Sequence, residues 1–304
     1  MTEAVEYLDA YSEPGAALLA AAWGWHRWQP RWLPSRAAHV LRRWALRRYH
    51  ELVLCRLDGG QRFLVHPSDL VQCEIGVTGQ WEGLIYQAVR PLVPRGAVVV
   101  DVGAHVGYST MLFADWVGPT GSVYCFEPLP THIGQIGQSL ALNGYEDRVT
   151  VNRCAVSDHA GSAGFYYDTT QNTGLGSLRP RRAQRRTLTV ETVALDAWAQ
   201  ARHLTHIDLV KMDIEGAEGA ALRGMAAGLG AHFYRLLLIE LHAAELAAYG
   251  SSIDGVLSFL RARGYRVFPW EDAGRFVAEP VAWVPNYVLA VAPQLPLVEK
   301  DLRP

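Results

Sequence analysis

The chain is poor in the features that mark several protein classes. It has four cysteines in 304 residues. They stand far apart, at Cys55, Cys73, Cys125 and Cys154, with no C-x-x-C pair. A disulfide framework and a cysteine zinc site are both disfavoured, and a reducing cytosol fits best. Charge of one sign is missing too. The net charge is -2, so the molecule as a whole offers no field for nucleic acid. Long hydrophobic runs are absent: the N-terminal stretch AALLAAAWGW is about half of what a membrane span needs, and no transmembrane segment is expected. The first residues are acidic, Glu3 and Glu6, where a secretory leader would carry basic ones. A cytoplasmic protein is expected. What is present is a globular composition, 50% apolar and 19% charged. The length gives room for one large domain plus an extension, or for two small domains.

Residues 1–50 differ from the rest. Five of the ten tryptophans lie there (Trp23, Trp25, Trp28, Trp32 and Trp44), and residues 25–50 carry seven arginines and no acid. Pro30 and Pro34 should break the region into two helices. In the second, Ala37, Leu41, Trp44 and Ala45 share one face, opposite Arg36, Arg43, Arg47 and His50. The reading is a helical arm, packed on the main domain or on a second copy of the chain, which would make a homo-oligomer. A lid, or a surface for an acidic partner or membrane, is the alternative. Residues 51–90 then show two strand-like runs around Asp58-Gly59-Gly60, a hairpin signal, and a helix in WEGLIYQAVRPLV.

From residue 97 to about 293 the pattern is regular, and the tail 294–304 reads as loose. Continuous apolar runs, as strands buried on both faces require, occur in AVVVDVG, SVYCFEP, VTVNRCAV, IDLVKMDIEG and RLLLIELH. Helical windows separate them. THIGQIGQSLALNG ends at a C-cap glycine, and SSIDGVLSFLRARG carries N-cap serines and the stripe Ile253, Val256, Leu257, Leu260. This predicts an α/β fold with a doubly wound, mostly parallel sheet. The last two strand candidates, YRVFPW and NYVLAVA, have no clear helix between them and are expected as an antiparallel pair at one edge. The run RPRRAQRR (179–186) reads as a solvated loop.

In such a sheet, ligands bind beyond the carboxyl ends of the strands. Those ends are rich in acids: Asp101, Glu127, Asp158, Asp213 with Glu215, and Glu240 before His242. A carboxylate is costly to desolvate, so a plain sheet edge would not need one at almost every strand. The first loop, VVVDVGAHVGYST, has two glycines spaced G-x-x-x-G rather than G-x-G-x-x-G, and Asp101 stands where it would repel a pyrophosphate. S-adenosylmethionine (SAM) has no phosphate and carries a sulfonium and an ammonium. Asp101 suits it, Gly103 would let the backbone approach it, and Glu127 could accept its ribose hydroxyls. The residues therefore favour SAM over a nicotinamide dinucleotide.

The chain resembles the FkbM-type family of SAM-dependent methyltransferases. The resembling motifs are GQWEG (79–83), VVVDVGAHVGYST, FEP (126–128), LALNG (140–144), RCAVSD (153–158), TVALDAW (192–198), DLVKMDIEGAE (208–218), IELH (239–242) and a terminal NY strand. The family commonly has asparagine where this chain has His105. The resemblance implies a class I methyltransferase, Rossmann-like fold and methyl transfer, usually to oxygen. It implies cofactor contacts from Glu82, Asp101, Gly103, Gly107 and Glu127. The rest of the turn, Ala104, His105, Tyr108 and Ser109, together with Pro128, would complete them, and Ala155 would flank the adenine. Asp213 would face the methyl group and the acceptor.

A hydroxyl acceptor must lose its proton near the transition state. His242 has a suitable unperturbed pKa for a general base; Asp213 would need its pKa raised, Glu240 is a further candidate, and Lys211 could stabilise an alkoxide or serve as a salt-bridge partner. A divalent metal such as Mg, if used, would sit between Asp213, Glu240 and His242. For Glu215 and Glu218 the plain reading is acids in the first turn of a helix. For His105 it is a hydrogen-bonding loop residue. The expectation is an O-methyltransferase for a small or medium polyhydroxylated molecule, such as a sugar or natural-product intermediate. Residues 165–180 are expected on the acceptor side. N-methyl transfer, a nicotinamide-dependent oxidoreductase and a SAM-binding module without chemistry stay open.

Overall fold

The computed structural model describes residues 43–44, 51–168, 173–180, 186–271, 274–278 and 285–296. The expected helical arm lies outside the described residues, apart from Arg43 and Trp44. The chain divides into two units, Met1–Trp81 and Glu82–Pro304.

In the first unit, β1 (Val53–Arg56) and β2 (Arg62–Val65) pair antiparallel, with Val53 opposite Val65. Gly60 takes the positive φ of 92° that this turn needs. The helix α1 (Leu70–Thr78) follows, between the predicted hairpin and the predicted helix. Its signals are local: Asp69 accepts from the Gln72 N–H as N-cap, and Gly79 closes the helix in the left-handed conformation. The β-branched residues inside it hid the helix from a propensity reading.

The second unit begins with α2 (Gly83–Val89), then β3 (Val98–Val102), α3 (Tyr108–Val117), β4 (Ser122–Phe126), α4 (Pro130–Asn143) and β5 (Val149–Asn152). Next come three strands, β6 (Ala155–Ser157), β7 (Gly161–Tyr167) and β8 (Arg186–Ala194), followed by α5 (Leu195–Gln200). The chain then alternates β9 (Ile207–Met212), α6 (Glu218–Arg223), α7 (Ala226–Gly230), β10 (Tyr234–Glu240), α8 (Ala243–Ala248) and α9 (Ile253–Arg261). It ends with β11 (Arg266–Glu271), β12 (Arg275–Phe276) and β13 (Tyr287–Val291). The main sheet has eight strands in the order β12-β11-β13-β10-β9-β3-β4-β5, parallel from β10 through β5.

The apolar runs became the central strands: Val99, Val100 and Val102 of β3, and all of β9, are buried. In α9 the stripe Ile253, Val256, Leu257 and Leu260 is buried, and the Ser252 side chain accepts from the Gly255 N–H. The paired edge was read correctly, but β13 lies inside it, antiparallel to both β10 and β11. The run VTVNRCAV was expected as one strand and is two. After Asn152 the chain leaves the main sheet, and Ala155–Ser157 joins a separate three-stranded sheet in the order β6-β8-β7. The antiparallel β7–β8 pair has no counterpart among the predicted strands.

Chain order places the candidate site. From β3 the sheet grows outward through β4 to β5, and the chain then returns to the other side of β3 with β9. The strand order reverses between β3 and β9, the crevice where such sheets take their ligands. Among the described residues, no helix is long and apolar enough to cross a membrane.

Candidate functional site

Asp101 and Lys211 are register partners across the β3–β9 pair, at this switch point. Asp101 is fully buried; Ser109 and Thr110 in the first turn of α3 both donate to its Oδ2, at 2.7 and 2.6 Å. Its Oδ1 is buried with no hydrogen-bond partner, and Lys211 Nζ stands 3.6 Å away. Lys211 also donates to the Gly103 carbonyl at 2.9 Å and stands 3.6 Å from Asp213 Oδ2. Two carboxylates and one carbonyl thus surround the ammonium, the geometry of the salt-bridge alternative. Burial alone would lower its pKa, but Asp213, Asp101, Glu240 and Glu82 outweigh burial and raise it.

Gly103 and Gly107 have positive φ, 79° and 89°. The space left by their missing Cβ atoms is occupied by protein. A Cβ on Gly103 would lie 1.9 Å from the Asp213 carbonyl oxygen, and one on Gly107 would lie 2.9 Å from Ile136 Cγ1. Both glycines therefore let neighbouring elements close on the turn. The close approach to a cofactor read from the sequence at Gly103 is first an approach of β3 to the end of β9.

Glu127 is buried at the end of β4. It accepts from the His105 and Leu129 N–H groups, each at 2.9 Å, and lies 3.3 Å from His132 Nδ1. Each carboxylate oxygen keeps acceptor capacity for hydroxyls. His105 has φ 52°, its ring Nε2 lies 2.9 Å from Thr173 Oγ1, and the ring meets His132 edge-on at 4.6 Å. Burial, then His132 and Lys211, push its pKa well below the usual histidine value, so it stays neutral. Ala104 is buried and donates to the Phe126 carbonyl; Tyr108 is buried with its ring edge-on to Tyr86 at 5.7 Å. Pro128 leads into α4. Ala155 sits in the second sheet, packed with Leu129, Phe165 and Val190.

On the other side of the crevice stand Asp213, Glu215, Glu240 and His242, joined by Glu82 from the start of α2. Asp213 keeps 32% of its side chain accessible, yet burial among protein atoms raises its pKa well above the carboxylate range; Lys211 opposes the rise, while Glu240, Glu215 and Glu82 add to it. His242 Nε2 lies 3.0 Å from Glu240 Oε1, and this bond raises the histidine to about 9. The sequence reading offered His242 as a base because of its unperturbed pKa. In the fold Glu240 holds it protonated at neutral pH. Glu240 is itself lowered: burial would raise it, but the hydrogen bond from His242 and the positive charges of His242 and Lys211 outweigh that. Glu82 has φ 53° and accepts from Tyr287 OH at 2.6 Å; burial, then the charge of Glu240, push it up to about 7.

Two residues with a part in this geometry escaped the sequence reading. Glu218 reaches back with Oε1 to the N–H groups of Ile214 and Gly216, at 3.0 and 3.3 Å, and so shapes the turn that carries Asp213 and Glu215. Its spacing from Ile214 was a legible signal, masked by the plain reading of an acid in a helix's first turn. Tyr287 was legible only as part of the terminal NY motif; nothing local points to its partner Glu82, 205 positions away. Of the expected acceptor-side stretch 165–180, the first residues end β7, with Phe165 packed against Ala155 and Leu129, and residues 173–180 are described beyond it. This second part is tied to the cofactor turn through Thr173 and His105, and to the end of α8 through Ser177 Oγ and Tyr249 OH at 2.8 Å.

The donor set fits a cationic group without phosphate. Glu82, Asp101, Asp213, Glu215 and Glu240 face one another electrostatically, against the positive charge of Lys211 and His242. A metal fits less well. Among the described residues, the side chains within reach of one ion are Asp213, Glu215 and His242, with ligand atoms within 4.8 Å, rather than the expected set with Glu240. The Lys211 ammonium already stands beside Asp213, and an ion would have to displace the proton that Glu240 holds on His242.

A family model described as the methyltransferase FkbM domain matches residues 101–267. The 2-O-methyltransferase NoeI of Sinorhizobium fredii is 28% identical over 152 residues, covering 45% of this chain and 61% of that protein. The match therefore spans about three fifths of that relative. Among solved structures, an FkbM methyltransferase from Methylobacillus flagellatus is 17% identical with a TM-score of 0.42, covering 73% of this chain and 52% of the other. The O-methyltransferase TomG of Streptomyces achromogenes is 13% identical with a TM-score of 0.39, covering 69% and 78%. These structural likenesses are too loose to carry an argument.

Proposed function

The chain belongs to the FkbM methyltransferase family, and we propose that it uses SAM to methylate a hydroxyl on a small or medium polyhydroxylated acceptor, such as a sugar or natural-product intermediate. The observation that carries this reading is the row of carboxylates at the switch point, with Asp101 and Glu127 buried and one Asp101 oxygen left without a hydrogen bond. Such a row is costly unless a cation offsets it, and the sulfonium and ammonium of SAM would do so. The name of the Sinorhizobium relative, a 2-O-methyltransferase, agrees with a hydroxyl acceptor.

Bound there, SAM would supply an electrophilic methyl group. Asp101, Ser109 and the turn around Gly103 would line its amino-acid end, and Glu127 would accept ribose hydroxyls. Asp213 would take the acceptor's proton as the oxygen attacks the methyl carbon and the carbon–sulfur bond breaks, its electron pair staying on sulfur. Its raised pKa makes it a stronger base than a surface carboxylate. Protonated His242 would hydrogen-bond the acceptor, oriented by Glu240. Thr173–Pro180 would form the acceptor-side wall, because it bridges the cofactor turn and α8. Much of the acceleration would come from holding oxygen, carbon and sulfur in line.

Calorimetric titration with SAM, its demethylated product and NAD tests the cofactor. A panel of polyols, glycosides and amines with labelled methyl donor tests the acceptor. Binding of NAD without SAM would overturn the reading, and methylation confined to amines would overturn the choice of oxygen.

A further inference from the structure

Tyr287 is a buried residue at the site to which no motif assigned a task. It stands directly opposite Glu240 in the antiparallel β10–β13 pair, so both side chains leave the sheet on the same face. The pair is locked from beyond the strand end, where the Leu241 N–H donates to the Asn286 carbonyl at 2.6 Å. From that position the phenol reaches across and donates to Glu82 Oε2 at 2.6 Å. Glu82 is in the left-handed conformation, which costs a non-glycine residue about 1 kcal/mol and persists only where its surroundings hold it.

We propose that Tyr287 is a positioning residue for the cofactor: its hydroxyl fixes and aims the Glu82 carboxylate that meets the cofactor's positive charge. The inference rests on the methyltransferase reading given above. Glu82 faces the like charges of Glu240 and Asp213, the opposite charges of Lys211 and His242, and the ring of Tyr86. Among these, the phenol is the neutral donor that favours its ionised form without competing for its charge. Without the hydroxyl, burial and Glu240 act unopposed by that bond. The carboxyl would then be protonated at neutral pH and lose its attraction for a cation.

The test is SAM affinity by calorimetry between about pH 6 and 9 for the wild type, Tyr287→Phe, Glu82→Gln and the double variant, with melting temperatures alongside. The wild type should bind more tightly as pH rises through about 7, where Glu82 ionises. Tyr287→Phe should bind about tenfold more weakly at neutral pH, with its rise displaced upward by about one unit and affinity recovering in alkali. Glu82→Gln should lack the rise, and adding Tyr287→Phe to it should change little. A Tyr287→Phe profile that overlays the wild type, or an equal loss at every pH, would overturn the inference. So would a Glu82→Gln variant that keeps the rise, a result available even if Tyr287→Phe does not fold. A wild type that binds no SAM at any pH would instead remove the methyltransferase reading itself.

Discussion

Lys211 and Asp101 stand side by side in register on β9 and β3, their charged atoms 3.6 Å apart, with 8% and 0% of their side chains exposed. One ammonium serves Asp101, Asp213 and the Gly103 carbonyl at the point where the sheet reverses its order. Everything proposed for the site depends on that charge staying in place.

Lys211→Met should therefore act on the fold before it acts on chemistry. It keeps the bulk of the side chain but leaves two carboxylates uncompensated, one of them fully buried. Losing one partner of a buried pair costs about 3–5 kcal/mol. Urea unfolding should show a loss of that order, and a loss below about 1 kcal/mol would mean the carboxylates are solvated or protonated.

Gly103→Ala should be severe for a steric reason. The added Cβ meets the Asp213 carbonyl oxygen, and φ is 79°. Strain of this kind costs about 1–3 kcal/mol, before the displacement of β9 is counted. Gly144→Ala is the control: φ is 65° at the end of α4, but nothing lies within 4 Å of the new atom. It should cost only about 1 kcal/mol in thermal unfolding.

Asp213→Asn should separate binding from turnover. The amide is isosteric but cannot take a proton, so methyl transfer should fall about 10²–10⁴-fold. SAM affinity should move by less than about tenfold. Turnover that survives would show that Asp213 orients the acceptor without accepting its proton.

The ion pair of His242 and Glu240 predicts a pH dependence of stability. His242 is raised from 6.5 to about 9 in the fold. Its contribution is fully present below about 6.5 and is lost as pH rises through about 9. Glu240 is lowered from 4.5, so its contribution is present above that value and is lost as pH falls through its folded pKa. Stability from the pair should be greatest between these limits. The cofactor-free wild type should lose stability between about pH 6.5 and 9, and Glu240→Gln should flatten that decline. A decline of equal size in Glu240→Gln would assign it to another group; Glu82, raised from 4.5 to about 7, would give its decline between those two values instead.

Much of the fold was legible because its signals are local. A valine run such as Val98–Val102 can only be a buried strand, and Gly144 and Ser252 mark helix ends through their own backbone requirements. Where the reading failed, a local signal was overruled or absent. VTVNRCAV looks like one strand, and nothing within it says that Ala155 pairs with Thr192 of β8 rather than continuing beside β4.

By itself, the sequence determined the alternation of strands and helices in the main sheet, the acids at the strand ends and the two-glycine turn that disfavours a pyrophosphate. These follow from periodicity, backbone freedom and residue charge, which are properties of short segments. Only the tertiary structure decided what those residues are. It joined Glu82 to Tyr287 across 205 positions. It set Glu240 beside His242, turning a candidate base into a held cation, and it placed Asp213 where desolvation raises its pKa well above the carboxylate range. The physical reason is common to all three: pKa and hydrogen bonding depend on charges and desolvation within a few ångströms, and folding, not spacing along the chain, decides which groups come that close.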